Sequence, residues 1–184
     1  MNLFEYQKQA ITTKIYADEA ALSYLALGLG GESIELLEKI EENKQDICEV
    51  NDELLALIAK EIGDVYWYLA GIAEERGLNL QQIVNSYQKP LSVDIKLQEV
   101  TTMLIIKTGV VLEVFKKALR DDYNLFINKI LTVDKGDKTN QAIADIVSTL
   151  EYLAEFFGVS TQTILQQNVD KLRSRAQRGV LGGS

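Results

Sequence analysis

Apolar residues recur every three or four positions along most of this chain, a spacing typical of amphipathic helices. The strict alternation of apolar and polar residues that indicates half-buried strands is not evident. The composition agrees, because a single proline interrupts long stretches of residues that favour helices. The pattern therefore predicts an all-α protein. The predicted helices span residues 2–16, 18–42, 52–76, 80–88, 102–120, 125–131, 141–157 and 161–177.

The second half of the chain repeats the plan of the first half. Shifts of 78 and 81 residues align like residues in the two halves. We therefore predict a helical bundle built from two degenerate tandem copies of a four-helix unit, residues 1–90 and residues 91–184, packed intimately as one unit. The aligned pairs include Glu35 with Glu113, Gly31 with Gly109, Asp64 with Asp145, and Gly77 with Gly158.

Two pairs of carboxylates interrupt the apolar stripes of consecutive helices. Glu32 and Glu35 lie one turn apart, and Glu61 and Asp64 repeat this spacing in Lys60-Glu-Ile-Gly-Asp64. Either pair alone is typical of a solvated helix face. Both pairs together favour a shared site, where buried charge requires a cation, a basic partner or protonation.

The second half does not carry a complete copy of this carboxylate set. Under the same shifts, Glu32 aligns with Val110 and Glu61 aligns with Ala142. The remaining acidic residues, Glu113 and Asp145, are therefore interpreted as structural or surface charge. We expect one four-carboxylate site, in the first half.

The composition narrows the chemistry of that site. The chain contains no histidine, which excludes Ser-His-Asp and Cys-His catalysis and the usual zinc enzymes. Ligands that offer only oxygen suit Mg²⁺, with Mn²⁺ as a possible substitute. Cys48 is the only cysteine, so no intramolecular disulfide can form and a reducing compartment is expected.

Net charge and hydropathy bear on the expected partners. The formal net charge of −8 argues against binding to a nucleic-acid polymer. No N-terminal segment resembles a signal peptide, and no apolar run approaches the roughly 20 residues that span a membrane. We expect a cytoplasmic protein with no membrane partner.

Two further stretches admit alternative interpretations. The C-terminal run carries four cations, Lys171, Arg173, Arg175 and Arg178. They either complement a helix dipole or, with a flexible tail over residues 179–184, clamp phosphate.

Among three consecutive aromatic residues, Tyr66 and Trp67 are predicted to be core. Tyr68 follows Asp64 by one turn and is predicted to reach the site.

The motifs Glu32-Ser-Ile-Glu35 and Glu61-Ile-Gly-Asp64 resemble the signature of the MazG-like all-α nucleoside triphosphate pyrophosphohydrolases. The glycine-rich segment before Glu32 and the segment Gly63-Asp-Val-Tyr-Trp67 are similar to the family's flanking residues. The C-terminal run resembles the family's substrate-binding tail. Members of the family often continue with Gly-Asp-x-Arg, which this sequence lacks.

The resemblance implies hydrolysis of a (deoxy)nucleoside triphosphate to the monophosphate and pyrophosphate with Mg²⁺. It further implies a single-chain pseudo-dimer by similarity to the related dimeric dUTPases, although a homodimer is also possible. The alternatives are a catalytically inactive bundle that binds nucleotides or proteins, and a purely structural bundle. By this resemblance, the metal ligands are Glu32, Glu35, Glu61 and Asp64, with Glu35 also activating water, and the substrate contacts are Asn168, Lys171 and Arg175.

Overall fold

The computed structural model describes residues 1–43, 51–92 and 94–180. These residues form eight α-helices and no β-strand, which confirms the all-α prediction for the described part of the chain. Cys48 and the end of the predicted flexible tail, residues 181–184, lie outside the described residues. The helices are α1 Leu3–Ala10, α2 Ala21–Glu42, α3 Asp52–Glu75, α4 Leu80–Tyr87, α5 Leu97–Asp121, α6 Tyr123–Ile127, α7 Val133–Phe156 and α8 Thr161–Gln177.

Helices α3 and α7 have the same length, and their bounds differ by 81 residues. Each ends in the same way: Gly77 and Gly158 adopt φ values of 65° and 73°, which favour glycine because they lie in the left-handed region. A capped helix follows each glycine. The side chains of Asn79 and Ser160 accept hydrogen bonds from the first turns of α4 and α8.

Four predicted helices have wrong bounds, and two of them are displaced by a few residues: α5 begins at Leu97 instead of residue 102, and α6 spans Tyr123–Ile127 instead of 125–131. Helix α1 ends at Ala10 instead of residue 16, because the indole Nε1 of Trp67 donates a hydrogen bond to the Ala10 carbonyl oxygen at 3.2 Å. The Thr13 hydroxyl also donates to this oxygen, and residues 11–13 form only a 3₁₀ turn.

Helix α7 begins at Val133, eight residues before the predicted start, and Lys138 pairs with Asp134 at i,i+4 spacing in the added turns.

The two halves of the chain exchange their shorter helices. Helix α2 lies along α3, α5 lies along α7, and α2 contacts α5. Helix α8 packs mainly on α3, and α4 packs mainly on α7. One continuous hydrophobic core therefore crosses the boundary near residue 90. This exchange carries residues near the C-terminus to the acidic positions of α3.

Residues 18–42 are long and apolar enough to cross a membrane, by length and composition alone. The expectation that no apolar run approaches the length of a span is therefore too strong for this segment. In the structure the segment contains α2, which packs against α3 and α5. The core helix of a soluble bundle passes the same test, and the expectation of no membrane partner stays a prediction.

Candidate metal and phosphate site

Three of the four predicted carboxylates meet where α2 packs on α3. Glu32, Glu61 and Asp64 each offer a carboxylate oxygen, and the three oxygens lie within 4.8 Å of one another. We call this group the carboxylate cluster. Like charges at this separation repel each other, and partial burial strengthens the repulsion. The cluster therefore requires compensating positive charge or protonation.

Glu61 is the most buried member of the cluster, with 3% of its surface exposed. Its Oε1 accepts a hydrogen bond from Lys60 Nζ at 2.7 Å. Its Oε2 is buried and has no hydrogen-bond partner in the described part of the protein. An unpaired buried carboxylate oxygen is costly, so Oε2 is a position where a ligand of the cluster would lower the free energy.

Asp64 is held by residues from α8. Asn168 Nδ2 donates to Asp64 Oδ1 at 2.8 Å, and the Lys171 ammonium pairs with the same oxygen. The buried Tyr6 hydroxyl donates to Asn168 Oδ1 at 2.8 Å, which fixes the orientation of the amide because an ionised carboxylate can only accept. Gly63 allows this approach: a Cβ at that position would lie 3.0 Å from Asn168 Cβ.

Glu32 has a perturbed pKa. Burial, followed by repulsion from Asp64, Glu35 and Glu61, raises the pKa of Glu32 to about 7. Glu35 lies one turn further along α2 and is exposed, and it is not part of the three-carboxylate group. Its predicted roles as metal ligand and water activator stay predictions.

A cleft of about 100 Å³ opens beside the cluster. Glu32, Asp64, Tyr68 and Arg175 all line it. The predicted substrate contacts Asn168, Lys171, Arg175 and Tyr68 are therefore gathered on or next to the cluster. Tyr66 and Trp67 are buried, as predicted.

The ring of Tyr68 lies against the backbone of α2 at Gly28. A Cβ at Gly28 would approach Tyr68 Cε1 to 2.0 Å, so a side chain there would require the ring to move. Tyr24 packs next to Tyr68, with ring centroids 6.1 Å apart. Of the glycines before Glu32, Gly28 thus serves close packing with an aromatic ring that lines the cleft.

The acidic residues of the second half have other surroundings. Asp145 Oδ2 pairs with Lys107 Nζ at 2.8 Å, and Asp145 Oδ1 accepts from Gln141. Glu113 is exposed and pairs with Lys116 and Lys117. These contacts agree with the interpretation of both residues as structural or surface charge.

The donor set fits a hard divalent cation. It consists of carboxylate oxygens from two adjacent helices, and one of its residues, Glu61, carries a buried oxygen, Oε2, that has no hydrogen-bond partner among the described residues. Mg²⁺ and Mn²⁺ favour such oxygen ligands, and a divalent ion would compensate the repulsion. Glu32, Glu61 and Asp64 are the residues that would hold it.

Three residues next to the cluster were missed from the sequence. Lys60 contacts Glu61 and lies 3.7 Å from Asp64 Oδ2; its i,i+4 spacing to Asp64 was the available signal. Tyr6, which orients Asn168, comes from α1, a distant part of the chain, and no local pattern marks it as part of a site. Tyr24, which lines the cleft, lies about two turns before Glu32 on α2, and this spacing was the available signal.

A curated protein shares part of this chain. The gene 37 protein of Mycobacterium phage L5 is 32% identical over 88 residues, which cover 48% of this chain and 73% of the phage protein. The chain belongs to the family of this gene 37 protein. Membership in the gene 37 family assigns no activity, because the name of the phage protein states none. No family model matches the chain, and no solved structure matches it.

Proposed function

We propose that this protein is a Mg²⁺-dependent nucleoside triphosphate pyrophosphohydrolase that releases pyrophosphate and a nucleoside monophosphate. The observation that carries the proposal is the carboxylate cluster together with the buried Oε2 of Glu61, for which the described residues provide no hydrogen-bond partner. Surface acidic clusters are common without a ligand, but an orphaned buried oxygen within one requires an explanation. The resemblance of the two acidic motifs to the MazG-like family supplies the reaction class.

The residues of the cluster and the residues around it have different proposed roles. Glu32, Glu61 and Asp64 would hold the ion, which when bound neutralises phosphate oxygens and lowers the pKa of water. Glu35, exposed one turn from Glu32, is the residue we assign to orient the attacking water. Arg175 lines the cleft and forms no ion pair within the described part of the chain, so its guanidinium is free to bind phosphate.

The size of the cleft limits which part of the substrate it can enclose. About 100 Å³ is less than the roughly 300–1,000 Å³ of typical small-molecule sites. We therefore assign the cleft to the phosphate groups rather than to the whole nucleotide. Tyr24 is exposed at its edge, where an aromatic face is available to the remainder of the substrate.

We further propose that the two halves are degenerate MazG-like copies that form a single-chain pseudo-dimer. The offset of 81 residues between α3 and α7, and the exchange of α4 and α8, support this proposal. The first half supplies the carboxylates and the second supplies Asn168, Lys171 and Arg175. A cytoplasmic location and the absence of membrane and nucleic-acid-polymer partners remain expectations from composition.

A metal-free binding module is the second candidate. The observation that favours it is the compensation already provided within the chain, where Lys60 contacts Glu61 and Lys171 contacts Asp64. In that case no divalent ion would bind, and the cleft would serve a nucleotide or protein ligand without turnover. Metal dependence separates the two candidates.

The test is a panel of canonical and deoxy nucleoside triphosphates assayed for pyrophosphate release with Mg²⁺ and with Mn²⁺. We expect release from at least one substrate, loss of release with a chelator, and loss in Glu61→Gln. Glu113→Gln is the matched control, because Glu113 is exposed in the second half. No release from any substrate, or equal rates for wild type and Glu61→Gln, would overturn the proposal.

A further inference from the structure

The carboxylate cluster carries its own cations. Lys60 Nζ hydrogen-bonds Glu61 Oε1 at 2.7 Å and lies 3.7 Å from Asp64 Oδ2. The Lys171 ammonium pairs with the other oxygen of Asp64. The two lysines come from different halves of the chain and approach the cluster on α3 and α8. Together they bring two positive charges to three carboxylates.

Two ammonium groups carry the same charge as one divalent ion. A cation that entered beside Glu61 and Asp64 while both lysines stayed would place four positive charges against three carboxylates. Repulsion between the ion and the ammonium groups would then oppose binding. Exchange of both lysines for one divalent ion leaves the local charge unchanged, and it also gives Glu61 Oε2 a partner.

The exposed fractions of the two lysine side chains are compatible with movement of their ammonium groups away from the cluster. The side chains of Lys60 and Lys171 are 41% and 23% exposed, whereas that of Glu61 is 4% exposed. The Glu61 carboxylate is therefore fixed in the interface while the Lys60 ammonium lies at its edge, and Lys171 is slightly more exposed than its partner Asp64, whose side chain is 17% exposed. Long lysine side chains can keep their methylene groups in place while the ammonium moves toward solvent.

We propose that Lys60 and Lys171 are resident counter-ions that a divalent cation displaces, and that the released ammonium groups then bind phosphate. This inference rests on the proposed function for the metal and the phosphate ligand. It adds Lys60 to the phosphate contacts, and it makes the two ligands cooperative: the metal frees the groups that hold the anion. Neither lysine binds phosphate strongly while it neutralises a carboxylate.

The second half provides an internal comparison. Lys107 and Asp145 form a similar lysine–carboxylate pair at 2.8 Å, but Asp145 has no adjacent carboxylates at the positions aligned with Glu32 and Glu61, which are Val110 and Ala142. One lysine matches one carboxylate there. No surplus negative charge attracts a cation, so we expect this pair to persist when metal is added.

The direct test follows the lysine ammonium groups by NMR of isotope-labelled protein during a Mg²⁺ titration. Resonances are assigned with Lys60→Met, Lys171→Met and Lys107→Met. We expect the Lys60 and Lys171 signals to lose the features of an ion pair as Mg²⁺ binds, while Lys107 does not change. Binding of Mg²⁺, detected by calorimetry, with Lys60 and Lys171 still paired would overturn the exchange.

A second measurement tests whether the released ammonium groups bind phosphate. With Mg²⁺ saturating, Lys60→Met and Lys171→Met should each weaken pyrophosphate binding about tenfold, the loss of one charge-assisted contact. The same variants should bind Mg²⁺ alone more tightly than wild type, and Lys107→Met should change neither affinity. A fall in Mg²⁺ affinity, or unchanged pyrophosphate affinity in both variants, would contradict the proposal.

These outcomes separate this inference from the proposed function. Lysine release on Mg²⁺ binding without turnover of any nucleoside triphosphate leaves the exchange standing and overturns the enzyme. Turnover that depends on Mg²⁺ while both lysines stay on their carboxylates supports the enzyme and overturns the exchange. No binding of Mg²⁺ to wild type or to either lysine variant overturns both.

Discussion

Asn168 donates a hydrogen bond of 2.8 Å to Asp64 although the two residues are 104 positions apart in the sequence. The contact joins α8 to the acidic face of α3, and Tyr6 orients the amide from the opposite side. The proposed site therefore depends on both halves of the chain: the first half alone would have the three carboxylates and Lys60 but would lack Asn168 and Lys171, which hold Asp64 Oδ1.

Removal of the Asn168 amide should destabilise the fold as well as the site. In Asn168→Ala, the buried Tyr6 hydroxyl loses its shorter acceptor and Asp64 loses a donor. We expect a loss of about 1–3 kcal/mol in the free energy of unfolding, measured with urea. Gln166→Ala on the same helix is the control, because Gln166 is exposed, and it should stay within about 0.5 kcal/mol of wild type. Equal stability of Asn168→Ala and wild type would contradict the role given to this contact.

Two glycines of α2 should respond oppositely to alanine. A Cβ at Gly28 meets the Tyr68 ring, whereas a Cβ at Gly31 meets nothing within 4 Å. Gly28→Ala should lower the free energy of unfolding by about 1–3 kcal/mol through overpacking. Gly31→Ala should raise it by up to about 1 kcal/mol through helix propensity. Thermal unfolding of both variants measures the difference, and a stabilised Gly28→Ala would show that Tyr68 does not lie on the α2 backbone.

Glu75 should make the fold sensitive to acid. Burial alone would raise the pKa of Glu75, but hydrogen bonds from Lys129, Lys14 and Tyr16 outweigh it and hold the pKa below its ordinary value. The folded state therefore favours the ionised form. The stability from this network is present at neutral pH and is lost as the pH falls through the lowered pKa.

The corresponding variant is Glu75→Gln, measured by urea unfolding from neutral to acidic pH. We expect it to be about 1–3 kcal/mol less stable than wild type at pH 7, because three donors lose a charged acceptor. The difference should shrink as Glu75 becomes protonated in the wild type. Glu155→Gln, at an exposed position of α7, is the control. A difference that stays constant with pH would contradict the assigned ionisation.

Replacement of one carboxylate of the cluster by its amide should weaken metal binding and should remove carboxylate repulsion from the metal-free protein. In chelator, Glu32→Gln should melt at or above the wild-type temperature, since a neutral amide relieves the carboxylate repulsion, whereas Asp64→Asn also loses the ion pair with Lys171 and should melt below Glu32→Gln. Added Mg²⁺ at about 100 times the dissociation constant should stabilise the wild type by about 2.7 kcal/mol. The variants should show little of this gain, and Glu113→Gln should keep it. A melting temperature of the wild type that does not respond to Mg²⁺ or Mn²⁺ favours a metal-free bundle.

The sequence specified most of the helices because their periodicity and their end signals are local. Asn51 caps α3, and the helix ends just before Gly77, close to the predicted bounds of residues 52–76. The early end of α1 was not predictable in this way, because it depends on an indole from α3 that takes the Ala10 carbonyl oxygen. A tertiary contact there overrides a local preference for helix.

The site, like the helices, was predictable where the signal is local in the sequence and was not predictable where it depends on tertiary packing. The one-turn spacing of Glu61 and Asp64, and their place beside an apolar stripe, were enough to predict an acidic cluster. The exposure of Glu35 was not predictable, because it depends on the rotation of α2 relative to α3 rather than on spacing along either helix. Tyr6 was missed for a similar reason, since only the packing of α1 against α8 brings it to Asn168.

The most direct test of the central claim is an anomalous difference map from crystals of this protein grown with Mn²⁺. We predict one peak at the carboxylate cluster, within coordination distance of oxygens of Glu32, Glu61 and Asp64. Strong density at other positions only, with the three carboxylates still compensated by protein cations, would contradict the metal site and the chemistry proposed for it.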